Sequence, residues 1–127
     1  MKIFGIGTDI ISVNRIKKLL KGKLFLNRIF CKEEINKCSI LINSYNCYAK
    51  RFAAKEAFSK ALGTGISKGI NFNKIIILNK KSGKPYINIM GQTKKTLNKK
   101  LKRRKFKISL SLSDEKKYAV AFVTISI

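Results

Sequence analysis

The sequence contains no histidine. That absence excludes Ser-His-Asp and Cys-His nucleophilic chemistry and any zinc site built on imidazole. Acids are nearly as scarce: six Asp and Glu stand against 29 Lys and Arg in 127 residues, a formal charge of +23. Cysteine occurs only at Cys31, Cys38 and Cys47, an odd number without Cys-x-x-Cys spacing. These read as reduced thiols in a cytosolic protein. No apolar run approaches the ~18–20 residues of a membrane span; the longest, around residues 75–78 and 118–123, are strand-sized. The opening MKIFGIGTDI is interrupted by Gly5, Gly7 and Asp9, so it is not read as a signal peptide. There is no repeat, low-complexity tract or linker. The expected location is the cytoplasm, with no membrane partner.

What is present is enough for a core. Hydrophobic residues make up 45% of the chain, and a chain of this length buries roughly two-thirds of its unfolded surface. One domain over residues 1–127 is expected. The positive charge has two sources. It favours anionic partners, and it also follows from a composition rich in Lys, Ile and Asn, all with A/T-rich codons.

The hydrophobic pattern predicts an α+β fold: one long buried helix plus short helices packed on an antiparallel sheet. Residues 2–11 read as a strand broken by glycines. Ser12 or Asn14 can cap a short helix ending near Leu20. Residues 24–30 and 32–38 read as short helical pieces. The clearest helix runs from Ser44 or Tyr45 to Leu62, with Gly63 as its stop. Residues 73–79 and 85–90 read as strands around a turn at 80–84, and residues 92–101 as a basic helix. Phe106, Ile108, Leu110 and Leu112 alternate with Lys107, Ser109, Ser111 and Ser113, and a returning strand follows over 118–127.

Six acids can be questioned one at a time. Glu33, Glu34, Asp114 and Glu115 lie in polar stretches and read as surface charge. Asp9 and Glu56 do not. Asp9 sits in an apolar run beside glycines that allow close backbone approach. Glu56 lies mid-helix, on a face shared with Tyr45, Tyr48, Ala49 and Phe52, and that helix is apolar nearly all round, hence buried. A buried carboxylate must be paired, protonated or metal-bound. One reading pairs Glu56 with Lys60, one turn on. The other is a Mg²⁺ site from Asp9 and Glu56, with waters and substrate phosphate completing the shell.

Gly63-Thr64-Gly65 also has two readings. Glycine-rich backbone can cradle phosphate, but a helix C-terminus repels anions, and a simple helix stop fits equally. Gly83-Lys84-Pro85 reads as a hairpin turn.

Taken together, the motifs resemble the holo-[acyl-carrier-protein] synthase family, the small bacterial type of 4′-phosphopantetheinyl transferase. Gly5–Ile10 with Arg15-Ile16 is similar to the family's opening. Ala49-Lys50-Arg51-Phe52-Ala53-Ala54-Lys55-Glu56-Ala57, then Ser59-Lys60-Ala61-Leu62-Gly63-Thr64-Gly65-Ile66, is similar to its signature helix and loop. Gly83-Lys84-Pro85 and the final hairpin fall in the same order and spacing. The resemblance covers essentially the whole chain and favours the metal reading of Glu56.

The resemblance implies a reaction: the phosphopantetheine arm of coenzyme A moves to a serine of apo acyl carrier protein in fatty acid biosynthesis, releasing 3′,5′-ADP. It implies Asp9 and Glu56 as Mg²⁺ ligands, Glu56 and Lys60 as catalytic residues, and Gly63, Thr64, Gly65, Gly83, Lys84 and Pro85 as nucleotide contacts. It implies a homotrimer with sites between subunits. Arg15, Lys17, Lys18, Lys21 and Arg28 cluster in the first helical region; with Arg15, Lys18, Lys21 and Arg28 at its centre, this face is the expected dock for an acidic carrier protein. There is a departure: where the family usually carries a histidine at the start of the penultimate strand, this chain has Lys107, which can contact a nucleotide but is a poor stand-in for neutral imidazole. The segment 31–34 also differs, and no general base is assigned there. The alternative, a basic nucleic-acid-binding module, accounts for +23 and the cluster at 99–107. It does not account for Asp9 and Glu56, and it lacks a surface ladder of stacking aromatics; no nucleic-acid partner is expected.

Overall fold

In the computed structural model, residues 1–65 and 69–127 are described. The last residue of the signature stretch, Ile66, lies outside them. The order is β1 (Ile3–Ser12), α1 (Val13–Leu19), α2 (Lys23–Ile29), α3 (Lys32–Ser39), α4 (Ser44–Leu62), a 3-10 turn (Phe72–Lys74), β2 (Ile75–Asn79), β3 (Pro85–Ile89), α5 (Gly91–Lys100), β4 (Lys107–Asp114) and β5 (Tyr118–Ser126). The strands divide between two antiparallel sheets, β1-β5-β4 and the separate hairpin β2-β3. The expected α+β architecture is present. Its β2 starts at Ile75 rather than 73, because residues 72–74 first close a 3-10 turn.

The packing of α4 on β1 explains the glycines. A Cβ at Gly5 would collide with the carbonyl of Ala61, and one at Gly7 with the carbonyl of Ala57. The strand lies against the helix backbone itself, which requires glycine on one side and alanine on the other. Ala53, Ala57 and Ala61 recur at i, i+4 and i+8 and are all buried, so they line one stripe of the helix. Phe58 and Leu62 turn into the core and are essentially inaccessible; each contributes about 1.5–3 kcal/mol through burial. Ser12 caps α1, its hydroxyl accepting from the Arg15 amide at 3.3 Å. Gly63 ends α4 in a left-handed conformation at φ 85°.

The three-stranded sheet is two-sided. Ala119, Ala121, Val123 and Ile125 face the core and have no exposed surface. Tyr118, Val120 and Phe122 point the other way and stay 50%, 36% and 44% exposed, beside Ile6 and Ile10 of the neighbouring strand. One apolar face therefore lies open to solvent in the single chain.

The cysteine expectation is corrected. Cys38 and Cys47 form a disulfide, with Cα atoms 5.4 Å apart, and only Cys31 is free. The chain turn at residues 40–43 brings the end of α3 back onto the first turn of α4, so a nine-residue separation closes in space.

Candidate active site

Asp9 lies on the α4-facing side of β1, opposite Ala121 of β5. The glycine-to-alanine contact just before it draws the strand down on the helix, placing the Asp9 carboxylate beside the last turns of α4. Lys60 reaches it: Nζ lies 3.2 Å from Asp9 Oδ1 and donates to the Thr8 carbonyl at 3.0 Å. The carboxylate is largely covered, with 17% of its side-chain surface exposed, whereas the lysine keeps 52%. The expected helix pair between Glu56 and Lys60 does not form, because the ammonium turns to Asp9 across the strand–helix crossing. Among the described residues Glu56 has no cation within salt-bridge distance. Burial first, and the neighbouring Asp9 charge second, push the Glu56 carboxyl above the usual carboxylate range, while Lys60 and Arg15 pull the other way. Two mutually repelling carboxylates form a hard oxygen-donor pair. No cluster of three or more acidic, histidine or cysteine groups is present among the described residues, and two carboxylates are the usual protein share of a Mg²⁺ site.

The glycine segments behave differently from one another. The amides of Gly63, Thr64 and Gly65 all donate to the Ser59 carbonyl. They close the helix end, and as folded here they do not form an open phosphate cradle. Gly83 takes φ 92° in the β2–β3 turn, where Lys80 and Lys84 are bonded across the hairpin and Pro85 opens β3. Gly83 borders a cavity of about 890 Å³ whose wall carries Lys37, Lys50, Arg51, Lys80 and Lys81. None of Asp9, Glu56, Lys60 or Gly63–Gly65 lines that cavity. Within one chain, the structure brings together Asp9, Glu56 and Lys60 and keeps the hairpin turn apart from them.

Arg15 sits on α1 close enough for its charge to act on Glu56. Lys18 is exposed on the same helix, and Lys21 follows it. Arg28 borders an apolar cavity of about 520 Å³ walled by Phe25, Ile29, Phe52 and Phe72. Lys107 is exposed at the start of β4, opposite Ser126.

The sequence reading missed the buried charges. Glu34, read as surface charge, has no exposed surface; it accepts from Lys55 Nζ at 2.8 Å and from the Ile77 amide at 3.1 Å. Lys55 also donates to the carbonyls of Phe72 and Ile75. Glu34 further completes a capping box by accepting from the Cys31 amide. Cys31-x-x-Glu34 ahead of a helix was the available signal, and Lys55, set among Phe52, Ala53, Ala54 and Phe58 of α4, was its complement. Asp114 is exposed, as its reading as surface charge expected, and is met there by Asn46 at 3.0 Å and Lys50 at 3.5 Å.

A strand drawn onto a helix by glycine sets two carboxylates and a lysine at one crossing of a small α+β protein. Comparison with known proteins narrows this. The 4′-phosphopantetheinyl transferase superfamily model matches residues 5–123. A holo-[acyl-carrier-protein] synthase of Pelagibacter ubique is 47% identical over 125 residues, covering 98% of both chains. That of Buchnera aphidicola is 46% identical over 128 residues, again covering 98% of both. Among solved structures, holo-[acyl-carrier-protein] synthase from Neisseria meningitidis superposes with a TM-score of 0.88 at 41% identity, covering 98% of this chain and 99% of that one. The Bacillus anthracis synthase in complex with CoA (3′,5′-ADP) gives 0.82 at 38% identity, covering 99% and 98%. The chain belongs to the holo-[acyl-carrier-protein] synthase family of the 4′-phosphopantetheinyl transferase superfamily. No helix among the described residues is long and apolar enough to cross a membrane.

Proposed function

We propose that this chain transfers the 4′-phosphopantetheine moiety of coenzyme A to a serine of apo acyl carrier protein, releasing 3′,5′-ADP, in fatty acid biosynthesis. The observation that carries the reading is the meeting of Asp9, Glu56 and Lys60 at the β1–α4 crossing, in a chain whose relatives match it end to end. Asp9 and Glu56 are the residues that would hold Mg²⁺, which when bound neutralises pyrophosphate charge and acts as a Lewis acid. In this reading a carboxylate of the pair, Glu56 being the one assigned, accepts the serine proton, directly or through water, as the serine oxygen attacks phosphorus. The departing oxygen belongs to 3′,5′-ADP, and the Lys60 ammonium stabilises the charge that develops there. Histidine has no part in this scheme.

The nucleotide end of coenzyme A is assigned to Gly63, Thr64 and Gly65 and to the turn Gly83-Lys84-Pro85. The cationic cavity beside Gly83 supports the second segment. The first segment's amides close the helix end, and the Thr64 hydroxyl donates to the Gly65 carbonyl at 3.0 Å, so its assignment rests on the family resemblance. The acidic carrier protein docks on Arg15, Lys18, Lys21 and Arg28. The active form is a homotrimer in the cytoplasm, with residues 1–127 as one transferase domain. Support for the trimer comes from the open apolar face at Ile6, Ile10, Tyr118, Val120 and Phe122, and from the separation of the cationic cavity from the carboxylates, which a neighbouring copy can bridge.

The deciding experiment incubates the protein with apo acyl carrier protein and coenzyme A, with and without Mg²⁺, and reads the products by mass spectrometry. Gain of one phosphopantetheine arm only with Mg²⁺ is expected. An unchanged carrier protein in both arms overturns the proposal.

A further inference from the structure

Lys60 has two partners to serve and one ammonium to serve them with. In the structure it is spent on β1, 3.2 Å from Asp9 Oδ1 and 3.0 Å from the Thr8 carbonyl. Asp9 is the more covered of the pair and Lys60 the more exposed. The helix neighbour at i−4, Glu56, gets no such contact. We infer that Lys60 is a placeholder cation: its ammonium occupies the Asp9 carboxylate while the carboxylate pair is unloaded, and it is released toward the phosphate when a divalent cation takes Asp9 from it. The inference rests on the Asp9–Glu56 cation site proposed above.

Three features of the crossing support this role. Asp9 is mostly removed from water and beside a second carboxylate, so some cation must offset its charge when no metal is there. A lysine ammonium is a compact charge on a flexible stem, able to swing away without moving the backbone. The contact is half exposed on the lysine side, so it is weak enough to be displaced. A tightly buried pair would block the site. The consequence is an order of preference within the chain: Lys60 turns to a phosphate more readily once Asp9 is otherwise satisfied. This ties its catalytic charge to a loaded site and disfavours unproductive capture of coenzyme A phosphates by an unloaded one.

Competition for Asp9 has a signature that needs no turnover. Removing the ammonium removes both a competitor and a source of repulsion, so divalent cation should bind more tightly to Lys60→Met than to wild type, by roughly three- to tenfold. Lys60→Arg keeps the charge and should return the affinity toward wild type. The probe is Mn²⁺, titrated against each protein without coenzyme A and followed by the paramagnetic resonance of the free ion. Tighter binding in Lys60→Met with recovery in Lys60→Arg supports the placeholder role, as does uptake by Lys60→Met alone. Equal or weaker binding in Lys60→Met, with wild type binding normally, overturns the inference and leaves the Asp9–Glu56 site standing. No Mn²⁺ uptake by any of the three proteins overturns both.

Discussion

Lys55 Nζ lies 2.8 Å from Glu34 Oε1, and neither side chain has any exposed surface. The pair joins α3, β2 and α4 one residue before Glu56, and its remaining groups are bonded to backbone. Burial drives the Lys55 ammonium toward the neutral form, and Glu34 opposes that shift. Removing one partner leaves the other charge buried and alone. Glu34→Ala is therefore expected to destabilise the fold by about 3–5 kcal/mol, read as a lowered midpoint in urea unfolding. The double replacement Glu34→Leu with Lys55→Met should cost less than Glu34→Ala alone, because no charge is stranded.

Glu56 makes stability depend on pH in a particular direction. Its pKa in the folded chain lies above the ordinary glutamate value of 4.5, so in the window above 4.5 the folded state holds a proton that the unfolded state has lost. Stability from this group is then greatest below 4.5 and declines as pH rises through the folded pKa. In EDTA, the stability of wild type relative to Glu56→Gln should fall across that window. A flat difference would show that Glu56 titrates normally.

Glu56 and Lys60 should fail in different ways. On the proposed chemistry, Glu56→Gln keeps shape but removes a carboxylate assigned to hold Mg²⁺ and take the serine proton, so transfer should nearly vanish. Lys60→Ala should still bind Mg²⁺ and coenzyme A and slow turnover by roughly a hundredfold or more, the usual loss when a preorganised transition-state charge is removed. Near-normal transfer by two well-folded variants would contradict the assigned chemistry.

The docking face predicts a split between the two substrates. Replacing Arg15 and Arg28 with glutamate should weaken binding of the acidic carrier protein and reduce its salt dependence, while calorimetry shows coenzyme A binding nearly intact. Equal loss of both ligands would mean these arginines form no separate face.

The open sheet face predicts assembly. Phe122 is 44% exposed on this open face, and covering its remaining surface against another copy is worth about 1 kcal/mol per site. Light scattering should return a trimer for wild type and a monomer for Phe122→Lys. A monomeric wild type at working concentration would refute the trimer.

Local pattern made most of the elements readable. Alternation of Ile108, Leu110 and Leu112 with serines specified β4, Gly63 marked the end of α4, and Ser12 capped α1. The long helix was readable as buried because apolar residues surround it. Asp9 and Glu56 stood out because a charge in apolar surroundings is costly, which is a property of sequence context alone. Glu34 escaped the same reasoning: its neighbours Lys32 and Glu33 are polar, and only the packing of α3 beneath β2 removes it from water.

The sequence by itself determined that strand 1 must approach something closely, that helix 4 must be buried, and that Asp9 and Glu56 are carboxylates set in apolar surroundings. These follow from glycine sterics, helical periodicity and the cost of burying charge, all of which act over a few neighbouring residues. Tertiary structure alone decided that Lys60 serves Asp9 rather than Glu56, that Lys55 finds Glu34, and that Cys38 meets Cys47. Each of those is a choice among partners distant in the chain or equally spaced along it. Charge and spacing leave such choices open, and only the relative placement of whole elements closes them.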